Sequence, residues 1–490
     1  MFRRVATAVN RLRGNHMKVA RSFAYAILFF CFVVKLTIPL SAASDPSNIE
    51  ARLAALENRF VNMQSEYERQ IADLNARIEK LQGQPSSSRE DSEEDELSAL
   101  RRAAVAETQS ADINASEKSG DDERRFIAGD LSKQAENPEI SIVGDFVYRL
   151  QSIDGNRNNS DAMLRNLGIH YETYLDPYTK FKGAVPVKED ISNIGEAYIT
   201  RYGLTPNLNL TLGKFRQQFG IVHRWHMAGL DQSEFPLAMR RVLGDGGLCQ
   251  NGVSFDWNLG STGKTTQELT MQLTESTNQR LFAGNTRGMP SLLLHFRSFR
   301  DIDVNTYQEL GLTALAGVND QWSISQAGVV STIDETRPVY GFGLDFTHLW
   351  EPADNMRYRN FMWRTEFYGA KKEILVPDSG DRGSIMAWGG YTNFQWKLDR
   401  QLESGVRIDY FEPDSKKYAA VPGLALAPLA VVADSPSEWQ LCPYITWHQT
   451  PWVKYRLEFN YKSGNNMGPD ERRLMLQCIW SAGPHKHDRY

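Results

Sequence analysis

Residues Trp452–Lys462, with the sequence WVKYRLEFNYK, decide the fold class of this chain. Side chains of a β-strand point alternately to opposite faces, so residues two apart share a face. One face of this segment then carries the apolar side chains of Val453, Tyr455, Leu457, Phe459 and Tyr461. The other face carries Trp452, Lys454, Arg456, Glu458, Asn460 and Lys462. The first face suits lipid or a second sheet, whereas the second face, apart from Trp452, suits only water.

The same alternation recurs from Ile140 to Trp480, with Gly, Pro, Asn and Asp between the alternating segments. One example sets Tyr340, Phe342, Leu344 and Phe346 against Gly341, Gly343, Asp345 and Thr347. About sixteen to eighteen such segments are present, each of roughly nine to thirteen residues, a length that suits strands crossing a bilayer at a tilt. The pattern predicts an all-β fold over residues 138–490.

Three features favour a membrane over a soluble sandwich. Charged residues occupy strand centres on one face and are nearly absent from the other, and aromatic residues lie near the ends of the apolar faces. An export signal precedes the strands. Closing the sheet also removes the edge strands of so long an antiparallel array. We therefore predict a closed antiparallel transmembrane β-barrel of about 16 (16–18) strands. A secreted soluble β-protein is the alternative.

Composition excludes several other classes of protein. The chain has 490 residues, a formal net charge of -5 and 23% charged residues. Its mean hydropathy of -0.46 is too polar for a helical membrane protein, although it is compatible with a barrel that has a polar interior. The balanced charge gives no reason to expect nucleic-acid binding. Cys249, Cys442 and Cys478 are scattered, which predicts neither a disulfide framework nor a zinc site.

Residues 1–43 have the features of a signal peptide. A basic start precedes an apolar run from Phe23 to Leu40, and Ser41-Ala42-Ala43 supplies small residues for cleavage. An uncleaved anchor is the alternative, but Lys35 interrupts the apolar run. We therefore expect export from the cytoplasm.

Residues 46–83 and 84–137 are expected to precede the barrel on its periplasmic side. In the first segment, apolar residues follow one another at spacings of three and four, as in Ile49, Leu53, Leu56 and Phe60. This spacing predicts an oligomerising coiled-coil helix, with a single amphipathic helix as the alternative. The second segment is rich in Ser, Ala, Glu and Asp, which predicts a disordered acidic linker.

No catalytic constellation is visible in the sequence. It contains no G-x-S-x-G motif, and His223 and His226 have an H-x-x-H spacing without a third ligand nearby. We therefore expect no enzyme activity, no metal site and no cofactor.

The long interruption at residues 217–250 is the main candidate for a functional segment. It separates two predicted strands, Asn207–Arg216 and Asn251–Trp257, and a loop of this length in a compact barrel usually has a function. Two alternatives remain open, a loop folded into the lumen or an outer loop that covers the barrel mouth or contacts another subunit. The candidate pore-lining and solute-binding residues are the cations of this segment and of inward strand positions, Arg216, Arg224, Arg240, Arg241, Arg364, Arg407, Lys454 and Arg456.

Three short motifs resemble a known family. They are Gly213-Lys214-Phe215-Arg216-Gln217-Gln218-Phe219-Gly220, Phe235-Pro236-Leu237 with Arg240-Arg241, and Asn251-Gly252-Val253-Ser254-Phe255. Together they resemble the phosphate-selective porins of the O and P type over roughly residues 140–490. The resemblance implies a sixteen-stranded barrel, a homotrimer, and passage of small solutes across an outer membrane. The inward charges depart from a ladder of one sign, because Arg149, Arg297 and Arg364 share the lumen with acids such as Asp345, Glu366 and Glu458.

These observations predict a porin in the cell outer membrane, with its coiled coil in the periplasm. Small hydrophilic solutes would diffuse passively through it, with anions such as phosphate among the candidates. The expected partners are the lipid bilayer, the solute and two further copies of the chain. The main alternative is a structural anchor, in which the coiled coil tethers the outer membrane and the barrel does not conduct. A barrel enzyme is a second alternative.

Overall fold

The computed structural model describes residues 138–483, apart from 155–156, 188–193, 279, 283–288, 327–328, 376–381, 416–428 and 432–433. The predicted signal peptide (1–43), coiled coil (46–83) and linker (84–137) lie outside the described residues. Those three assignments therefore stay predictions.

Sixteen antiparallel strands close into one barrel. Each strand pairs with the barrel strand that precedes it, and β1 pairs with β18 to complete the ring. The barrel strands are β1 (Glu139–Ile153), β2 (Arg157–Asp176), β3 (Thr179–Val187), β4 (Glu196–Thr205), β5 (Leu208–Arg216), β6 (Cys249–Thr262), β7 (Thr265–Thr274), β8 (Ser291–Asp303), β9 (Thr306–Gln326), β10 (Val329–Trp350), β11 (Asn360–Leu375), β12 (Arg382–Asp399), β13 (Leu402–Glu412), β16 (Ser437–Thr450), β17 (Val453–Asn465) and β18 (Glu471–Ala482). A separate parallel pair, β14 (Asp414–Ser415) and β15 (Ala430–Val431), lies between β13 and β16. The predicted closed antiparallel barrel is confirmed.

The two ends of the barrel differ in the length of their connections. At one end, which we call the short-turn end, connections such as 177–178, 206–207 and 263–264 have only two residues. Asn207 and Gly263 occupy such turns with positive φ angles of 67° and 64°, a backbone region that Asn and Gly tolerate best. At the opposite end, the long-loop end, the connections include 217–248 and 413–436. Bacterial outer-membrane barrels have this asymmetry, with their short turns in the periplasm.

The strands turn their apolar side chains outward and their charged side chains inward. On β17, Leu457 is 46% exposed and Phe459 is 40% exposed, whereas Arg456 and Glu458 are 2% and 1% exposed. The next strand repeats the pattern, since Leu474 and Leu476 are exposed while Gln477 is buried. A soluble protein places these groups the other way round, because exposing such side chains to water costs about 1.5–3 kcal/mol each. The barrel exterior is therefore suited to lipid.

Aromatic side chains cluster on the outer wall near both of its ends. Near the short-turn end, the rings of Phe346 and Trp363 lie 5.1 Å apart, and Trp363 also stacks on Phe394 at 6.0 Å. Near the long-loop end, Trp439 and Tyr461 make an edge-to-face contact at 5.3 Å. Such belts mark the two boundaries of a bilayer. Among the described residues, no helix is both long enough and apolar enough to cross a membrane.

Candidate pore and its constriction

The loop at residues 217–248 lies inside the barrel. It contains 3₁₀ turns at Val222–Arg224 and Met227–Gly229 and one short helix, α1 (Leu237–Leu243). Apolar side chains along its whole length are excluded from solvent; Phe219, Ala238, Met239, Val242 and Leu243 are 0% exposed. Of the two alternatives that the sequence left open, the loop folded into the lumen is the one observed.

The loop and one side of the wall form a hydrophobic core within the barrel. The ring of Phe219 stacks on the ring of Tyr368 of β11, with 5.8 Å between the two ring centroids. Further inward side chains of the wall complete the core, namely Leu293, Leu315, Val339, Ala370, Ile374, Ile385, Ala387, Tyr391 and Phe411. The apolar part of the loop therefore packs against the wall from β8 to β13.

Glycines in the wall make room for the loop. A Cβ atom at Gly343 would lie 2.9 Å from the ring of Phe219, and one at Gly389 would lie 2.9 Å from Ala238. Such contacts are too short for carbon atoms, so a larger residue would displace the loop. These inward glycines are a signal that sequence reasoning missed, because the alternation was interpreted as polar against apolar without regard to side-chain size.

Acidic residues of the wall accept hydrogen bonds from backbone N–H groups of the loop. Glu366 on β11 accepts from Ile221 and Val222 at 3.1 and 3.0 Å. Glu458 on β17 accepts from Ser233 at 2.7 Å, and Asp409 on β13 accepts from Leu237, the first residue of α1, at 2.9 Å. Bonds to an ionised acceptor are roughly twice as strong as neutral ones. The wall anions therefore hold the loop by its main chain.

Basic residues of the wall donate hydrogen bonds to backbone carbonyl groups of the loop. Lys454 donates to Ala228 at 2.8 Å, and Arg456 donates to Leu230 at 2.8 Å. Arg407 donates to the carbonyl of Glu234 at 2.8 Å. All three cations were predicted to line the pore, and the structure places them under the loop, where they are buried.

Three further predicted cations also pair with acids. Arg364 donates to Asp231 at 3.0 Å and lies over the ring of Trp225, 4.4 Å from its centroid. Arg241 makes a two-pronged pair with Glu438 at 2.9 and 2.7 Å.

Arg240 faces Glu234 at 3.2 Å, and Arg473 approaches the same carboxylate at 2.7 Å. Burial would raise the pKa of Glu234, but Arg240 and Arg473 outweigh it and lower that pKa to about 2. The carboxylate therefore stays charged at neutral pH and binds the loop to β18.

His223 joins the two ends of the loop. Its Nδ1 lies 2.8 Å from the carbonyl oxygen of Gln217, and its Nε2 accepts a hydrogen bond from the N–H of Leu248 at 2.7 Å. This arrangement needs a neutral ring with the proton on Nδ1. Burial, and then the charge of Arg216, lower the pKa of His223 to about 3.

His226, the second histidine of the H-x-x-H pair, has a different partner. Its Nε2 lies 3.0 Å from Glu196 of β4. The two histidines therefore take separate structural positions. In the described part of the chain, no cluster of three His, Cys, Asp or Glu residues could hold a metal ion.

Two cavities of about 270 and 320 Å³ remain between the loop and the wall. The first lies against β2–β7, where Lys180, Lys182 and Glu172 are found. The second extends to β8 and β9, with Glu268, Arg297 and Glu309. Both are lined by Asn209, Arg224 and Asp256, so the two cavities meet at these residues. Arg224 comes from the loop and Asp256 from the wall, and we call the place where both cavities meet them the candidate constriction.

A third cavity of about 320 Å³ lies on the long-loop side and contains Arg216. Glu196 of β4 lines the third cavity. Tyr198, two residues further along the same strand, lines the first cavity. The third cavity and the first therefore lie against neighbouring parts of β4, and we take the three cavities together as the candidate path beside the loop.

The charges along this path are mixed, and most are paired. Lys180 and Lys182 both pair with Glu172 across neighbouring strands. Arg297 pairs with Glu268 on one side and Glu309 on the other. In both cases inward charges pair between neighbouring strands.

Arg224 and Arg216 differ from the other cations on the path. Arg224 donates to the amide oxygen of Gln218 at 2.9 Å, and Arg216 lies 5.6 Å from the ring centroid of Phe235. Within the described ranges, neither arginine forms an ion pair with a carboxylate. Of the eight predicted pore cations, these two line the cavities.

Comparisons with known proteins give distant similarities. No family model matches the chain. An uncharacterized protein of Aquifex aeolicus (strain VF5) is 24% identical over 330 residues, which cover 59% of this chain and 67% of that protein. The comparisons therefore do not identify the phosphate-selective O and P type.

Three solved structures illustrate the structural similarities. The outer membrane channel DcaP of Acinetobacter baumannii is 12% identical, has a TM-score of 0.46, and the match covers 71% of this chain and 96% of that one. The anion-selective porin from Comamonas acidovorans is 8% identical, with a TM-score of 0.46 and coverage of 71% and 99%. OprB of Pseudomonas putida is 12% identical, with a TM-score of 0.43 and coverage of 71% and 94%.

Proposed function

We propose that this protein is a passive diffusion pore of an outer membrane, through which small hydrophilic solutes cross beside the inserted loop. The observation that carries the proposal is the combination of an apolar outer wall with polar cavities beside the loop, two of which meet at Arg224 and Asp256. A barrel that served only as an anchor would not need a charged passage. The solute moves down its own gradient, and lumen width and wall charge select it.

Small anions are the solutes that the path favours. Arg216 and Arg224 are cations without a carboxylate partner among the described residues, and they line cavities that follow one another. Lys180, Lys182 and Arg297 are neutralised by neighbouring acids. Asp256 lines the first two cavities and has no cationic partner among the described residues, so the two separated arginines supply only a weak preference for anions in general, including phosphate, rather than the dense ladder that phosphate selectivity requires.

The remaining parts of the proposal concern assembly. Residues 46–83 would form a periplasmic coiled coil that joins three copies of the barrel, after residues 1–43 have directed export. The acidic segment 84–137 would separate the two domains.

The non-conducting anchor remains a second candidate, and one observation favours it. The hydrophobic core between the loop and strands β8–β13 fills much of the lumen. Insertion of the purified protein into a planar bilayer separates the two functions. A pore gives discrete conductance steps with a modest anion preference in a salt gradient. A membrane that contains the protein without such steps supports the anchor.

A further inference from the structure

A groove of about 440 Å³ crosses the outer wall where β1, β2, β17 and β18 meet. We call it the seam groove, because the β1–β18 pair closes the barrel here. Its outward-facing lining comprises Leu150, Ser152, Ser160, Phe459, Arg472 and Leu474. None of these side chains takes part in the solute path described above, so the groove needs a separate explanation.

Strand register arranges the groove in two rows. Leu150 pairs with Leu474, which pairs with Phe459, so the first row is apolar. These three side chains are 42%, 41% and 40% exposed. One step toward the long-loop end, Ser152 pairs with Arg472, and Arg472 pairs with Tyr461. The outer wall therefore changes from apolar to polar between the two rows, as it does at the level of lipid headgroups.

Arg472 is exposed on the outer wall. Its guanidinium carbon lies 5.7 Å from the ring centroid of Tyr461. In the part of the chain that the structure describes, its guanidinium group forms no ion pair and donates no hydrogen bond.

The carboxylate of Asp470 nearby is held by other groups. Its pKa is lowered first by a hydrogen bond from Ser463, then by one from Tyr461, and to a smaller extent by the charge of Arg472. The donors of Arg472 are therefore left for a ligand outside the protein.

The two rows together define the chemistry of that ligand. A guanidinium presents a planar fork of donors that matches a phosphate group, and the hydroxyl groups of Ser152 and Ser160 add donors at its side. The apolar row below suits a hydrocarbon chain. We propose that the seam groove binds a phosphate-bearing lipid, with Arg472 at the phosphate and Leu150, Leu474 and Phe459 along an acyl chain.

A second copy of the chain is a less suitable occupant. In a two-fold contact between the seams of two copies, the outward positions of β17 and β18 would supply no acidic residue to pair with Arg472. An unpaired arginine enclosed between two proteins would lose its hydration without compensation. Lipid headgroups provide the missing negative charge.

Native mass spectrometry of the full-length protein in detergent tests the proposal. The probes are dioleoyl phosphatidylglycerol, which carries a phosphate, and dioleoylglycerol, which does not. We expect the wild type to retain one phosphatidylglycerol per chain and no dioleoylglycerol. Arg472→Gln should lower the retained phosphatidylglycerol about tenfold, because charge-assisted hydrogen bonds are lost. Arg472→Lys should keep an intermediate amount.

The matched control is Lys371→Gln. Lys371 is also an exposed cation on the outer wall near the long-loop end, where it pairs with Tyr340, but it lies on β11 outside the groove. This variant should retain phosphatidylglycerol as the wild type does.

Three results would overturn the proposal. The first is equal retention of phosphatidylglycerol by the wild type and Arg472→Gln, and the second is equal retention of the two probes by the wild type. The third is loss of subunits, rather than of lipid, in the spectra of Arg472→Gln, which would make the groove a contact between copies. Arg472 lies outside the lumen, so conductance should be unchanged in this variant, and the test stays separate from that of the pore.

Discussion

Glu366 shows at the scale of one residue how the wall fixes the loop. Besides the two backbone N–H groups of the loop, it accepts hydrogen bonds from the hydroxyl groups of Tyr368 and Tyr391 at 2.8 and 2.6 Å. Gly220 lies directly against it with a φ angle of 73°, and a Cβ atom there would be 2.2 Å from the carboxylate. Glycine is therefore required both for the backbone conformation and for the space.

The constriction provides the first prediction. Replacing Arg224 by Gln removes a cation without a carboxylate partner from the point where the two cavities meet. A unit charge at about 4 Å contributes about 1 kcal/mol in water, so the ratio of anion to cation permeability should fall up to about fivefold. Reversal potentials in a salt gradient measure this ratio. Arg241→Gln is the control, since Arg241 is paired with Glu438. An equal effect of both substitutions would contradict the assignment of Arg224.

The second prediction concerns pH and comes from His223, which joins the two ends of the loop. A displaced loop would let His223 return to its ordinary pKa near 6.5, whereas the docked loop lowers that pKa to about 3. The displaced state therefore binds more protons below pH 6.5, and docking weakens by about 1.4 kcal/mol for each further pH unit. Glu234 contributes only below about pH 4.5, so its own titration lies outside the window between pH 6.5 and 4.5.

We expect single-channel conductance to rise or to become noisier as the pH falls through this window. In His223→Gln, whose side chain does not titrate, the conductance should be nearly independent of pH over the same range. The measurement is planar-bilayer recording at pH 7.0, 6.0 and 5.0. The same pH dependence in both proteins would show that His223 does not control docking.

At the scale of elements, the loop 217–248 is the part that narrows the lumen. Deleting residues 226–246 and joining the ends with a short Gly-Ser linker removes α1 and most of the hydrophobic core. Conductance should then increase several-fold, because a lumen enclosed by sixteen strands is wide enough for an aqueous channel. A properly folded deletion variant, verified by its β-sheet circular dichroism, with wild-type conductance would show that the loop does not limit the path.

Strands and loop differ in how well the sequence predicts them. The period of two in segments such as Trp452–Lys462 is local, so it predicted both faces of β17 correctly. The inward position of Cys442 and the outward position of Cys478 followed from the same parity. The place of the loop depends on contacts between residues far apart, such as Ser233 with Glu458. No local pattern contains that pairing, so the sequence left two alternatives open.

The same limit applies to the candidate site. The cationic residues of the lumen were found by strand parity, but parity does not show which of them face water. Arg407 and Arg456 are inward as predicted, yet the backbone of the loop takes up their donors. Arg216 and Arg224, in contrast, line the cavities beside the loop. The predicted cations that lie under the loop can be told from those that line the cavities only when the position of the loop is known.

For the whole molecule, the direction of the apolar face is the property that decides between membrane and water. Leu457→Arg would place a charge in the middle of the outer apolar band, and the free energy of unfolding in lipid vesicles should fall by about 2–4 kcal/mol. Val304→Arg is the control, because Val304 is 87% exposed in a turn at the short-turn end. Val304→Arg should lower the free energy of unfolding by only about 0–1 kcal/mol. Urea titrations of tryptophan fluorescence in vesicles measure both, and equal effects would argue against a lipid-facing wall.

Part of the attachment of the loop to the wall runs through the loop's main chain, and this part does not depend on the loop's side chains. The N–H groups of Ile221 and Val222 and the carbonyl groups of Ala228 and Leu230 would be present whatever side chains stood there. A designer, or evolution, is therefore free to exchange the residues that meet the solute, Arg224 above all, while the scaffold beneath them keeps its place. The same barrel could therefore present different solute-contacting side chains on a loop that keeps its main-chain hydrogen bonds.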